Sequence, residues 1–408
     1  MKGMKHRILL ISAILVTTAC NSMTGGEDSG RKGIIPPGAV PVIYSDYVLV
    51  QGEVENVPAS LLLDTGADEL LLDSLFKSSN RIEYENFYHA NITGIGTGSQ
   101  RIIVITDSVQ FTLSGKDYRA KPVPVLNIKP AGGDIIDGLL GKGFFRKEVL
   151  EVNYEDRYIA IHESIDSAGI GGCASLPVHR IGHYICVQVE IAIRGGELVS
   201  GDFILDTGSP TSSISGKAAA DMHLDSLIRE KVRYYTEYGG IGGESSSWDF
   251  IADSLRLGDC RLRNVNMSFS LDESGILAGG EYLGIIGNDV LDRFDLYFDF
   301  KGDRLYFRPN GTFTEAYEFD RMGFTWVDRC QTMGGWIVTG LTESSAAEKA
   351  GLMINDRILT VNRKPVGEIP FEDQGDYFKN TRSLVVSVDR EGETLTFRFR
   401  LAPILRPG

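Results

Sequence analysis

Apolar residues along this chain fall in short runs rather than in helical stripes. Stretches such as 102–109 and 187–193, rich in Val and Ile and bounded by turn-forming residues, predict strands joined by hairpins. Further strands are predicted at 336–338, 384–389 and 394–401. Helical periodicity is confined to short pieces at 142–149, at 288–294, and at 345–350 with Ser344 as the N-cap. The fold class that follows is mainly β.

The N-terminus has a different pattern. Lys2, Lys5 and Arg7 precede an apolar run at 8–16 and then Thr17-Thr18-Ala19-Cys20, the layout of a secretory signal too short to span a bilayer. A Cys directly after small residues resembles a bacterial lipobox, with Thr17 where that motif usually has Leu. The resemblance implies a signal peptide at 1–20, lipidation of Cys20, a polar tether at 21–38, and an exported lipoprotein held to a membrane, facing the periplasm or the cell surface. An ordinary signal peptide with an incidental Cys is the alternative. No later segment approaches the length of a membrane helix.

Composition narrows the field. The 408 residues allow two or three domains, and 47 glycines, 47/408 or about 11.5 %, point to a turn-rich globular chain. The net charge of 41 − 55 = −14 argues against nucleic acid as a partner. Cys173, Cys186, Cys260 and Cys330 contain no C-x-x-C and are widely spaced, so no metal site is expected; in an exported protein they could form disulfides in any of three pairings.

The chain also repeats itself. The run 61–67 reads LLLDTGA and 204–209 reads ILDTGS, placing Asp64 and Asp206 at a lag of 206 − 64 = 142. Gly94-Ile95-Gly96 recurs as Gly240-Ile241-Gly242, and Gly138-Leu139-Leu140-Gly141 as Gly284-Ile285-Ile286-Gly287, both at a lag of 146. Each copy ends in a strand-like run, 149–161 and 295–307. Three landmarks in one order at nearly constant spacing mark a duplicated domain.

An apolar strand running into Asp-Thr-Gly sets a carboxylate at a tight turn against buried aliphatics, where Gly permits the turn and Thr can anchor it. A single such loop reads as an Asp capping its own turn. Two, related by pseudo-two-fold symmetry, can bring two carboxylates close enough to share one proton, which suits a lytic water and a carbonyl to be polarised.

Over roughly residues 40–308 these motifs resemble the aspartic proteases, and among them the retropepsins. The resemblance implies duplicated β-barrel lobes on one chain, Asp64 and Asp206 as catalytic residues, and Thr65, Gly66, Thr207 and Gly208 as loop support. It further implies that Asp68 binds substrate backbone, and that Ile95-Gly96 and Ile241-Gly242 form flap tips over a peptide. The chain departs from the family at Ile95, where pepsin carries Tyr, and at Ser209-Pro210, which replace Ala67-Asp68. Lys142 and Asn288 stand where retropepsins have an Arg that supports the Asp, so Lys142 can still pair with Asp68 while the second copy lacks both partners. Ser209 is also expected to be substrate-binding, and a hydrogen bond from it to Asp206 would make Asp206 the readier anion.

After a linker at 309–320, residues 335–366 resemble a bacterial PDZ domain in their A-G-L, N-D-R-I-L and V-N core. That resemblance implies an α+β module that adds a peptide as a strand to a sheet edge, with Met322, Gly323, Phe324 and Thr325 at the peptide-binding loop and edge. A domain that only packs on the lobes is the alternative.

The boundaries read 39–170 and 171–310 for the two lobes and 318–404 for the PDZ domain. The function expected is an aspartic endopeptidase with no cofactor, an intramolecular site, a peptide or protein substrate and a monomeric state. A catalytically silent peptide-binding lipoprotein and an interaction platform are the competing readings. His89, His179 and His183 are scattered and read as polar surface or satisfied groups.

Overall fold

The computed structural model describes residues 35–93, 99–193, 195–240 and 242–407. Cys20, the tether up to residue 34, Ile95, Gly96 and Ile241 lie outside the described residues. Among those described, no helix is long and apolar enough to cross a membrane.

The duplication read from the sequence is a duplication of strand order. In the first lobe the sheet runs Tyr47–Val54, Val57–Asp64, Gly138–Gly141, Leu70–Asp73, Val123–Leu126, Ser99–Ile105, Phe87–Thr93. In the second it runs Tyr184–Ile193, Glu197–Leu205, Gly284–Ile286, Ser213–Ile214, Cys260–Ser270, Ser245–Leu257, Lys231–Thr236. In both, the glycine-flanked strand lies parallel to the strand that ends at the Asp-Thr-Gly turn, with Gly138 opposite Leu61 and Gly284 opposite Phe203. Those partners keep the same lags, 203 − 61 = 142 and 284 − 138 = 146.

A six-stranded antiparallel sheet joins the lobes, in the order Val40–Ser45, Tyr158–His162, Val149–Asn153, Phe294–Asp299, Arg304–Pro309, Ala174–Pro177. Its central register is its own mirror image. Val149 faces Asp299 and Asn153 faces Asp295, while 149 + 146 = 295 and 153 + 146 = 299. The pseudo-two-fold axis therefore passes between Glu151 and Tyr297, which face each other. One apolar core, with Leu63, Val152, Leu205 and Leu296 fully buried, runs through both lobes.

Residues 322–401 build a second core around Trp336, Phe324 and Phe378, with the Trp326 and Trp336 rings stacked at 5.1 Å. The strands Phe324–Arg329, Gly335–Thr342, Arg357–Val361, Ser383–Arg390 and Glu393–Arg400 carry it. The connecting segment does not run free. Arg293 donates to the carbonyls of Thr312 at 2.6 Å and Glu315 at 3.2 Å, and its guanidinium lies over the Tyr317 ring.

Several local expectations shift. The run 102–109 is two strands, broken where Asp107 accepts hydrogen bonds from the amides of Glu85 and Asn86. The predicted helix at 142–149 is only the single turn Lys142–Phe145, because Val149 already pairs into the central sheet. The helix Ala346–Ala350 is capped by Ser345, whose hydroxyl accepts from the Glu348 amide; Ser344 sits one residue earlier at φ 59°. The four cysteines after Cys20 stand as free thiols.

Candidate active site

Each Asp-Thr-Gly turn is held by the other. Thr65 Oγ1 donates to the Leu205 carbonyl at 2.8 Å and accepts from the Thr207 amide at 3.0 Å. Thr207 Oγ1 donates to the Leu63 carbonyl at 2.8 Å and accepts from the Thr65 amide at 3.1 Å. All six groups belong to buried residues, so leaving any one unpaired carries a desolvation penalty.

This crossed pair of threonines brings the carboxyls together. A Cβ on Gly66 would lie 2.8 Å from Asp206 Oδ2, and one on Gly208 would lie 2.7 Å from Asp64 Cγ. Only glycine lets the backbone approach that closely. Both aspartates are fully buried, and the outer Oδ2 of each has no donor among the described residues. Two such oxygens cannot both carry charge at short range, so one shared proton satisfies the pair.

The two carboxyls are not equivalent. Asp64 Oδ1 accepts from the amides of Gly66 at 2.8 Å and Ala67 at 3.0 Å, whereas among the described residues Asp206 Oδ1 accepts from one amide, that of Gly208, at 2.8 Å. Burial pushes Asp64 up to about 6, against the opposing pull of the Lys142 charge, the Asp206 carboxyl and those two amides. Burial and then the adjacent Asp64 charge push Asp206 well above the ordinary carboxylate range. Asp64 is therefore the readier anion. The opposite expectation fails because Ser209 Oγ turns away and donates to the Thr211 carbonyl at 2.8 Å, leaving Asp206 without that donor.

Asp68 sits beside the first turn, bound to Lys142 Nζ at 2.9 Å and to Arg146 Nη2 at 2.9 Å. Burial alone would raise its pKa, but Lys142 and then Arg146 outweigh it and hold Asp68 below the usual carboxylate range. Lys142 Nζ also donates to the Ala67 carbonyl at 3.2 Å. In the second lobe Asn288 takes the equivalent place by other bonds. Its Nδ2 donates to the carbonyls of Thr207 at 2.9 Å and Asp46 at 2.8 Å, and its Oδ1 accepts from Tyr154 Oη at 2.9 Å. Sequence reasoning missed Asp46 and Tyr154 as part of this site. The available signal was the asymmetry of Tyr154, whose counterpart is Phe300.

Gly242 is buried in the turn closed by Gly239 N–H donating to the Gly243 carbonyl at 2.7 Å. In the C-terminal unit, the amides of Met322 and Gly323 donate to the Asp320 carboxylate at 2.7 and 3.2 Å, so Asp320 fills the cradle expected for a peptide carboxylate. Phe324 is in the core, and Thr325 Oγ1 meets Tyr234 Oη at 2.9 Å instead of facing outward. No group of three metal-binding side chains occurs among the described residues.

Residues 187–290 match the aspartyl protease family model. The matched span carries the whole Asp206 turn and its parallel glycine-flanked strand, and the duplicated strand order repeats that architecture around Asp64. The family match and the duplicated strand order support an aspartic-protease-like fold for the two lobes. Among solved structures, the chain is similar to the aspartic proteinase from Irpex lacteus, at 15 % identity and a TM-score of 0.45, covering 69 % of this chain and 99 % of that one. No curated protein matches the chain.

Proposed function

We propose that this protein is an exported, lipid-anchored aspartic endopeptidase whose C-terminal unit is a PDZ domain that recruits peptide. The observation that carries the catalytic reading is the buried Asp64–Asp206 pair, in which the Oδ2 of each has no hydrogen-bond partner among the described residues. Asp64, as carboxylate, takes a proton from water as the water oxygen bonds to the scissile carbonyl carbon. Asp206 gives its proton to the carbonyl oxygen. When the gem-diol collapses and the C–N bond breaks, the proton on Asp64 passes to the leaving nitrogen and a hydroxyl proton returns to Asp206. Both residues end as they began.

On this reading Asp68, anchored by Lys142 and Arg146, binds substrate backbone on one side of the cleft only. The glycine-rich segments 94–98 and 239–243 act as flaps on this reading. A peptide carboxylate entering the Met322–Gly323 cradle takes the place of the Asp320 side chain. Lipidation of Cys20 supplies the membrane anchor.

The test is the chain from residue 21 onward, incubated with a diverse peptide library from pH 3 to 8 beside Asp64→Asn and Asp206→Asn. Cut sites present in the wild type and absent from both variants support one shared dyad. Cleavage that survives either substitution overturns it, and a folded wild type that binds peptides but cuts none favours a silent binding protein.

A further inference from the structure

The two glycine hairpins end their sheets differently. In the first lobe the strand Phe87–Thr93 is the last of its sheet. In the second lobe the equivalent strand, Lys231–Thr236, pairs on its outer edge with Gly335–Thr342 of the C-terminal unit, setting Tyr234 opposite Thr342, Tyr235 opposite Leu341 and Thr236 opposite Gly340. The sheet of the lobe and the sheet of the C-terminal unit are thus continuous through this hairpin arm.

Side chains reinforce the seam on both sides. Thr236 Oγ1 donates to the Thr339 carbonyl at 2.7 Å, and Tyr235 Oη donates to Glu348 at 2.8 Å. Beyond the strand, Tyr238 Oη donates to Asn355 Oδ1 at 2.6 Å while Asn355 Nδ2 donates to Glu237 at 2.8 Å. Gly340 makes room for the arm: a Cβ there would lie 2.0 Å from Tyr234 Oη and 2.5 Å from its Cζ. The C-terminal unit is itself fixed to the opposite lobe. Asp134 of the first lobe accepts from Arg329 Nε at 2.8 Å and from the Thr332 amide at 2.9 Å, and its own amide donates to the Asp328 carbonyl at 2.7 Å.

We propose that the C-terminal unit is a positioning element of the cleft, holding the second hairpin through Gly335–Thr342 and Asn355 and referring it to the first lobe through Asp134. This rests on the endopeptidase reading for its kinetic consequence but not for its structural one. The chemistry belongs to the buried dyad; the hairpin arm and its seam bear on how substrate is held. Disrupting the seam therefore raises KM and leaves kcat nearly unchanged.

The experiment uses the full chain from residue 21 with Gly340→Ala, which drives a methyl into the Tyr234 ring, and Gly340→Ala combined with Tyr234→Leu, which removes the ring atoms it strikes. Amide hydrogen exchange over 231–236 reads the seam without requiring turnover. Gly340→Ala is expected to lose protection there, with KM rising about tenfold and kcat changing less than about threefold, and the double variant is expected to recover most of both. Asn355→Ala, at an exposed position, is expected to raise KM about threefold and serves if Gly340→Ala does not fold. Unchanged exchange in the folded Gly340→Ala variant overturns the seam. Faster exchange with unchanged KM, or a loss confined to kcat, overturns the positioning role, as does an unchanged KM in Asn355→Ala. If the wild type cuts no peptide, the endopeptidase reading fails, and peptide affinity read in place of KM still decides this proposal.

Discussion

Thr65 and Thr207 exchange four hydrogen bonds across the pseudo-two-fold axis, each hydroxyl accepting from the other's amide and donating to the carbonyl two residues before the other. The exchange is nearly symmetric in distance. Thr65→Ala and Thr207→Ala are therefore expected to destabilise the protein by similar amounts, about 2–4 kcal/mol each, because each strands a buried amide and a buried carbonyl. Thr→Ser at either position should retain most of that stability. Urea denaturation of the four variants checks this, and strongly unequal losses would contradict the symmetric geometry.

On the endopeptidase reading the dyad sets a pH dependence for cleavage. With burial raising Asp64 to about 6 and holding Asp206 higher still, the singly protonated pair forms as pH climbs through about 6. Cleavage is expected to rise through that region, with the falling limb above it, and the two apparent values belong to the pair. A kcat/KM profile from pH 3 to 9 reads both limbs directly.

Lys142 tunes that rising limb. Its charge favours ionised Asp64, and its ammonium is nearly fully buried against Asp68 and the Ala67 carbonyl. Lys142→Met should move the rising limb to higher pH and lower kcat/KM below pH 6 on the order of tenfold, a one-unit displacement being a factor of ten. Arg146→Ala, which removes the exposed partner of Asp68, should move it little.

Stability should fall as pH rises from about 4 to 8. Burial raises Asp249 to about 7, Asp289 to about 7 and Asp292 to about 8. Between the unfolded carboxylate range and these values the folded chain holds protons that the unfolded chain has lost, so raising pH favours unfolding. Asp68 works in the opposite sense, its lowered pKa costing stability only in strong acid. Thermal melts are expected to give a higher Tm at pH 5 than at pH 8, and Asp249→Asn should flatten the slope.

Asp134 anchors the C-terminal unit to the first lobe through a largely buried ion pair with Arg329. Asp134→Ala leaves that guanidinium without its partner and is expected to cost about 3–5 kcal/mol. Limited proteolysis should then cut the chain near 309–320 faster, and an unchanged cutting rate would show that the contact contributes little.

The sequence made legible what local pattern and repetition encode. Lag located both Asp-Thr-Gly turns and the two glycine-flanked segments, and the family resemblance pointed to the Lys142–Asp68 pair. It could not show that Ser209 Oγ bonds the Thr211 carbonyl rather than Asp206, since a side-chain torsion leaves no trace in local pattern. The Asn288 bonds to Asp46 and Tyr154 span 242 and 134 positions, and no periodicity carries information that far. The pairing of Lys231–Thr236 with Gly335–Thr342 has no residue signature, because strand edges join through backbone groups that every residue has. Asp320 was readable in principle: an Asp two residues before the Met322 amide is a turn-capping arrangement.

The self-mirrored register of Val149–Asn153 on Phe294–Asp299 is the contact that two identical chains would make about a dyad. In a homodimer every substitution appears twice, once on each side of the axis. Here one covalent chain carries both halves, so Lys142 can face Asp68 on one side while Asn288 accompanies Pro210 on the other. Joining the halves frees each side of the axis to change alone. A two-sided peptide cleft can thereby have a direction, grasping a substrate by one end differently from the other.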